Sequence, residues 1–404
     1  MKIMAKISGN KGEWSELYAA LKIAVDGALQ GVDVDLSPLA GRCLKVHQVI
    51  RPDFVVNTGL TLQFAKNEDG HMCSRVVSDG GATFAEEKRK FGVRVDNLFN
   101  KIKIMTKQRQ PNRDADVRKM VADIGCRCLS VDSDKKKDVL VKVFDPYAGG
   151  AVDYGFSIKS YVGSPPTLLN ASGQTSLVFE IQNSSRLDRE RIEKIRASAS
   201  KKKYRQIVDE IHAAGANLVF RNFDEKTFEN NLRQLDDGLP EIYAEAVRMF
   251  EETGRAHLTD IFAEMERKDF KHYGEDCITF YKKKFKRFLV ASALGMRPES
   301  LWNDVDDATG GFVFVKPDGE IAAFYITDRR KFENFLMCQT SFMHPTASRK
   351  KSTGKVTNPN RVWLFEERLE NGRKVLLVHL NVQIRFLRVR ASSVALGGEG
   401  GSDA

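Results

Sequence analysis

Asp153, Gly155, Ser157 and Lys159 alternate along the segment VDYGFSIKS. Strand side chains repeat every second residue, so these four share one face, while Phe156 and Ile158 point to the other, toward a core. A carboxylate and a lysine on one strand face suit metal-dependent hydrolysis of a phosphodiester. That reaction places a water in line with the leaving oxygen and neutralises charge growing on the phosphorus oxygens. Carboxylates hold Mg²⁺ for the second task. A lysine, as a compact point charge, orients or stabilises the attacking hydroxide. A solvated strand face carrying an ion pair fits the same alternation, and spacing alone favours that blander reading.

Neighbouring residues add to the pattern. Glu180 and Gln182 alternate with Phe179 and Ile181 on a following apolar segment, SLVFEIQ. If the two strands are adjacent, Glu180 comes within reach of Lys159 and Asp153. Glu16 lies on a segment from Glu13 to Leu29 whose apolar residues Leu17, Ala20, Leu21, Ile23, Ala24 and Ala28 recur at helical spacing. Glu13 and Glu16 fall in its first turn, where carboxylates suit the helix dipole. Three carboxylates, Asp153, Glu180 and Glu16, around one lysine would make a Mg²⁺ site, with Asp145 a reserve.

The elements that must position these groups are legible in outline. Strands are expected in LKVHQVI, FVVN and TLQF, broken at Arg51-Pro52-Asp53, and helices over 84–107 and 114–125. VLVKVFD, VDYGFSIKSYV and SLVFEIQ read as strands, separated by a turn cluster at 146–150 and the loop GSPPTLLNASGQT. One long helix is expected over 187–214, closed by Gly215. GFVFVKPDGEIAAFYI reads as a hairpin turning at Pro317-Asp318-Gly319. VWLFEERL and VLLVHLNVQIRFL are joined by Asn371-Gly372, a type I′ signal. The expected fold class is α/β (α+β): a mixed sheet core flanked by helices, with an additional C-terminal α+β region. The division is 1–125, an N-terminal region contributing the Glu16 helix; 126–250, the catalytic core; 251–390, a C-terminal recognition region; and 391–404, a disordered tail.

Several stretches together resemble the HpaII family of type II restriction endonucleases. They are Asn10-Lys-Gly-Glu-Trp-Ser-Glu-Leu-Tyr18, Asp153-Tyr-Gly-Phe-Ser-Ile-Lys159-Ser, Gly163-Ser-Pro-Pro-Thr-Leu-Leu-Asn-Ala171, Phe228-Glu-Asn-Asn-Leu232 with Leu239-Pro240, and Leu380-Asn-Val-Gln-Ile-Arg-Phe386. They run in order across nearly the whole chain. The resemblance implies a restriction-endonuclease-like core of the PD-(D/E)xK type, cutting double-stranded DNA at CCGG with Mg²⁺. It implies Asp153 as the metal-binding aspartate, Lys159 as the catalytic lysine and Glu16 as the helix carboxylate. Ser157 departs from the superfamily pattern, where Glu or Asp usually stands two before the lysine. That puts the second metal carboxylate in doubt and makes Glu180 the replacement.

Guanine presents O6 and N7 in the major groove, where Arg or Lys can bridge both. Two loops are candidates for reading bases: 163–175, with Asn170 and Ser172, and 346–361, with Arg349, Lys350 and Lys351. The second is equally readable as a solvated charged loop. The helix over 186–205 carries nine Lys and Arg against Asp188, Glu190 and Glu193, and could track phosphates. In the run from Lys282 to Arg287, the nearby Phe285 and Phe288 read as core rather than as stacking platforms.

Composition sets the outer limits. The 404 residues carry 64 Lys and Arg against 54 Asp and Glu, a formal net charge of +10, which points to an acidic partner such as nucleic acid. With 42% hydrophobic and 29% charged residues, general disorder and fibrous classes are excluded. No apolar run is long enough for a membrane helix and the opening stretch does not read as a signal peptide, so a cytoplasmic, reduced protein is expected. The six cysteines are scattered and read as buried free thiols rather than a zinc site. No Walker motif, HExxH or nucleophile elbow is present.

Three functions follow. The first is a Mg²⁺-dependent restriction endonuclease leaving 5′-phosphate ends, with a cognate cytosine methyltransferase in the same system but no direct contact. A palindromic site is served either by a homodimer or by two successive monomer cuts. The second is a repair or structure-specific nuclease, separated from the first by sequence-dependent cutting. The third is a DNA-binding protein with a decayed nuclease site, motivated by Ser157 and excluded if Lys159→Ala abolishes cleavage but not binding.

Overall fold

A computed structural model describes residues 7–58, 63–66, 72–75, 82–129, 136–145, 150–184, 187, 189–200, 204–345, 348–349, 356–357 and 361–388. The chain opens with α1 (Lys11–Asp26), β1 (Ala28–Val32), β2 (Pro38–Arg51), β3 (Phe54–Asn57), β4 (Gln63–Lys66) and β5 (Met72–Arg75). Helices α2 (Ala82–Lys103) and α3 (Ala115–Asp123) lead to β6 (Val139–Asp145), β7 (Gly150–Ser160), β8 (Thr167–Leu169) and β9 (Leu177–Gln182). Next come α4 (Arg189–Ser200), α5 (Tyr204–Ala213), β10 (Asn217–Phe223), α6 (Lys226–Leu235), α7 (Leu239–Thr253), α8 (Leu258–Lys268) and α9 (Cys277–Leu294). The last part holds β11 (Gly311–Val315), β12 (Ile321–Tyr325), α10 (Arg329–Cys338), β13 (Thr340–Met343), β14 (Ser348–Arg349), β15 (Val356–Thr357), β16 (Leu364–Glu370), β17 (Arg373–Leu380) and β18 (Gln383–Phe386). The fold is mixed α and β.

The largest sheet has nine strands in the order β1-β12-β11-β7-β6-β2-β3-β5-β4. It is mixed: β7 runs parallel to β11 and antiparallel to β6. It is also closed, a feature that the expected mixed sheet flanked by helices did not include. The first half of β2 pairs with β1 and its last half with β6, which joins the ends of β1-β12-β11-β7-β6-β2 into a ring. Gly31 permits the closure, since a Cβ there would stand 2.7 Å from the Arg42 carbonyl and 2.8 Å from the Tyr325 ring. Smaller sheets follow the orders β10-β9-β17-β16, β13-β18-β8 and β14-β15.

Helix α1 lies against β1, β2, β7, β11 and β12, five of the ring strands. Its buried residues run from Trp14 to Ala24 and face every direction, as befits a helix enclosed by other elements. A capping box starts it two residues earlier than apolar spacing suggests: Asn10 Oδ1 accepts the Glu13 N–H, and Glu13 Oε2 accepts the Asn10 N–H. Gly27, at φ 67°, ends it, so Ala28 and Leu29 belong to β1 rather than to the helix.

One core gathers α1, α2, α3 and the inward faces of the ring, including Phe156, Ile158, Val313 and Val315. A second gathers α5 to α10 with Phe312, Phe314 and faces of the smaller sheets. Phe285 and Phe288 are fully buried in it, as their reading as core requires. Segments assigned to separate regions share sheets: β2, β6 and β11 stand in one, and β9 and β17 in another. Boundaries at 125/126 and 250/251 therefore cut through continuous sheets. The expected helix over 187–214 is two helices, α4 and α5, and residues 201–203 between them lie outside the described set, as does the tail 391–404. Of the described cysteines, only Cys126 and Cys277 are buried; Cys43, Cys128 and Cys338 are exposed. Among the described residues no helix is long and apolar enough to cross a membrane.

Candidate active site

Strand β7 delivers Ser157 and Lys159 to one face, with Phe156 and Ile158 packed on the other. The Lys159 ammonium donates to Ser157 Oγ at 2.8 Å and stands over the Phe312 ring, 5.5 Å from its centroid. The Ser157 hydroxyl donates in turn to Asp138 Oδ2 at 3.2 Å. The same carboxylate oxygen accepts the Ile158 N–H at 2.5 Å. Asp138 immediately precedes β6, and its own N–H donates to the Phe156 carbonyl at 2.8 Å. The antiparallel register, Val139 opposite Phe156, thus sets this carboxylate beside the Ser157–Lys159 stretch.

Glu16 reaches the same place from α1. Its burial, followed by repulsion from Asp138, holds its carboxyl well above the ordinary carboxylate range, against the pull of Arg51 and Lys159. Burial raises the Asp138 carboxyl too, opposed by Lys159, the Ile158 N–H, Ser157 and Arg51. Both residues nevertheless keep part of their surface open to solvent. Arg51, at the end of β2, acts on both carboxylates through its charge, with Asp53 Oδ1 3.9 Å from its Nε. Its Nη2 donates to the Leu129 carbonyl at 2.7 Å, while Nε and Nη1 are buried without a hydrogen-bond partner among the described residues. Lys136 supplies a further cation; burial, then the like charge of Lys159, brings its ammonium down to about 8. A second tie between helix and strand joins the Ser15 and Ser160 hydroxyls at 3.0 Å.

Two mutually repelling carboxylates with some open surface suit a divalent cation, which would relieve the repulsion. Among the described residues no group of three or more His, Cys, Asp or Glu side chains converges on such a point. A hard cation bound here would be held by Asp138 and Glu16, with main chain, water or phosphate oxygens completing its shell, as Mg²⁺ tolerates.

Gly155, also on the lysine face, has a packing role. A Cβ there would meet the Asp307 carbonyl at 2.5 Å, because residues 307–310 cross the strand at this point. Gly155 N–H donates to Thr309 Oγ1 at 3.0 Å, and Gly310 N–H donates to the Gly155 carbonyl at 2.7 Å.

The chain matches the HpaII restriction endonuclease family over residues 10–386. It belongs to that family. The type II restriction enzyme HpaII of Haemophilus parainfluenzae is 33% identical to it over 384 residues, covering 94% of this chain and 99% of that enzyme. No solved structure matches. The chain is a type II restriction endonuclease, and its substrate is DNA.

Of the residues singled out in the endonuclease sequence, the structure brings Lys159 and Ser157 into contact and puts Glu16 within range of the Lys159 charge. It does not bring Asp153 or Glu180 to them. Asp153 lies six residues before Lys159 on a strand, roughly 20 Å away at ~3.3 Å per residue. Its carboxylate is about half exposed and faces Lys142, across the ladder at 3.8 Å. Glu180 sits on β9, which neighbours β10 and β17 rather than β7, and its carboxylate is 3.8 Å from Arg221. The side chain of Asp145 lies outside the described residues. Asp138, Arg51 and Lys136 were missed; the available signal was an acid at the mouth of the strand VLVKVFD, just before its hairpin with β7.

The DNA-reading candidates are less defined. Asn170 is exposed after β8. The Ser172 main chain is fixed by Thr175 and Asn381, while its hydroxyl is buried without a partner among the described residues. Arg349 is described only as part of β14, and its side chain, Lys350 and Lys351 lie outside the described residues.

Proposed function

We propose that this endonuclease hydrolyses double-stranded DNA at CCGG with Mg²⁺, using Asp138, Glu16, Ser157 and Lys159, on a core of the PD-(D/E)xK type. The observation that carries the reading is the chain of contacts from Lys159 through Ser157 to Asp138, with Glu16 in electrostatic contact. Asp138 takes the metal-binding role expected of Asp153, and Glu16 takes the one expected of Glu180.

When bound, a divalent ion supplies neutralisation of charge developing on the phosphoryl oxygens. Lys159 orients the attacking water and stabilises it as hydroxide character develops. Ser157 holds the lysine in place, and its hydroxyl keeps the ammonium and the Asp138 carboxylate apart. Arg51 stays buried and acts on the two carboxylates through its charge. In-line attack expels the 3′-oxygen and leaves a 5′-phosphate. No Tyr or Ser nucleophile is required.

The CCGG specificity rests on likeness to the family, and a cognate cytosine methyltransferase in the same cell follows from it, since the enzyme acts in the cytoplasm on the cell's own DNA as well. A palindromic site is cut by a homodimer or by two successive monomer events. Asn170, Ser172, Arg349, Lys350 and Lys351 are proposed to contact that DNA.

The test is digestion of an unmethylated plasmid with and without Mg²⁺, with ends mapped, for the wild type, Asp138→Asn and Lys159→Ala. Fragments ending at CCGG from the wild type alone support the reading. Full cleavage by Asp138→Asn removes the site assignment.

A further inference from the structure

Asn231, within the Phe228–Leu232 stretch of α6, is fully buried and makes hydrogen bonds far along the chain. Its Nδ2 donates to the carbonyls of Arg297 at 3.0 Å and Ser300 at 2.9 Å, and its Oδ1 accepts the Trp302 N–H at 2.9 Å. Both amide hydrogens and the carbonyl are used, so one side chain fixes three main-chain groups of a turn outside any helix or strand. The turn is tied onward: Asn303 Oδ1 accepts the Val305 N–H at 3.3 Å, and the Asp307 and Ala308 N–H groups both donate to the Leu294 carbonyl at 2.9 Å.

The far end of this segment grips β7 and the residues that lead into β6. Asp307 Oδ2 accepts the Lys136 N–H at 3.1 Å, two residues before Asp138. Thr309 Oγ1 accepts the Gly155 N–H at 3.0 Å, two residues before Ser157. Lys136 also feels the charges of Glu299 and Arg297 within the same segment.

We propose that Asn231 is a positioning residue for DNA cleavage: it fixes the 297–302 turn of a segment whose Asp307 and Thr309 set the two strands carrying Asp138 and Lys159. This rests on the assignment of those two residues as the reacting pair. Asn231 touches neither substrate nor metal. Its effect falls on the rate of the chemical step, where displacement of about 1 Å at the reacting groups costs on the order of a hundredfold, and not on DNA affinity.

The experiment compares Asn231→Ala, Thr309→Val and the double variant in single-turnover cleavage of a CCGG duplex, alongside metal-free binding of the same duplex and the folded fraction at assay temperature. The expected result is a rate loss of tenfold or more in each single variant, binding within about threefold of wild type, and a double variant little slower than the worse single. Thr309→Val carries the test alone if Asn231→Ala does not fold. A wild-type rate, a rate loss matched by an equal loss of binding, or additive losses in the double variant would each overturn the proposal. Full-rate cleavage by Asp138→Asn and Lys159→Ala would instead overturn the site assignment beneath it.

Discussion

Lys159 donates to Ser157 across 2.8 Å, so the lysine is tethered to the residue two places before it on its own strand face. Ser157→Ala removes that acceptor and also the hydroxyl that Asp138 accepts at 3.2 Å. A hydrogen bond to a charged group contributes about 1.5–3 kcal/mol, which corresponds to roughly a ten- to hundredfold loss of single-turnover cleavage. The same bond also contributes to folding, so cleavage is compared below the unfolding range of the variant. Cleavage at the wild-type rate would show that the lysine needs no tether.

Asp138 and Asp153 separate two placements of the metal carboxylate. Asp153→Asn removes a half-exposed ion pair with Lys142, so stability should move by less than ~1 kcal/mol and cleavage should stay near wild type. Asp138→Asn should cost cleavage about a hundredfold or more, since it removes the negative charge proposed to hold the metal while leaving an amide oxygen able to accept the Ile158 N–H. Parallel rate measurements on the two variants decide the matter, and equal losses would contradict this geometry.

The pH dependence of the metal-free protein has a defined sign. Burial and Asp138 raise the Glu16 carboxyl above its ordinary value of 4.5. The folded state therefore holds that proton more tightly than the unfolded chain does. The stabilisation is complete below the ordinary value and is lost as pH rises through the raised one. Urea midpoints measured without metal should fall between about pH 5 and about pH 9. Glu16→Gln should flatten the fall and raise the midpoint at the alkaline end, while abolishing cleavage. An unchanged slope in that variant would show that Glu16 carries no such strain.

DNA binding should weaken steeply with salt. The excess of cations, a net +10, acts on phosphates by releasing counterions. Affinity for a CCGG duplex should fall by on the order of a hundredfold between about 50 and 200 mM salt. Fluorescence anisotropy titrations would read this directly, and a flat response would assign the basic excess to another task.

The strand text disclosed which side chains of β7 share a face, because alternation is a local property. The helix α1 was legible from its apolar residues at helical spacing, but that spacing marks one buried face and not the enclosure the structure shows. The partner carboxylate was not. Asp138 belongs to the site only through the register that sets Val139 against Phe156, and a one-residue slip would turn the whole strand over. Glu180 shows the same difficulty in reverse: β9 follows β7 in sequence after only a short strand, yet pairs with β10 and β17. The ring was illegible for a further reason. Gly31 meets Ala323, and contacts so distant along the chain leave no periodic trace in either segment. Asn231 was visible only as a letter in a family stretch, since its three partners lie in a turn without pattern.

The closed ring also governs when this enzyme comes into being. Strand β7 receives its parallel neighbour only after residues 311–315 have been synthesised, and β1 waits for residue 323. At roughly 5–20 residues per second, translation keeps the nascent polypeptide without a finished ring for tens of seconds. A message broken or a ribosome stalled before that point yields a fragment whose lysine strand has a bare edge. Such a fragment carries Glu16, Asp138 and Lys159 without the parallel strand that completes the ring beside them.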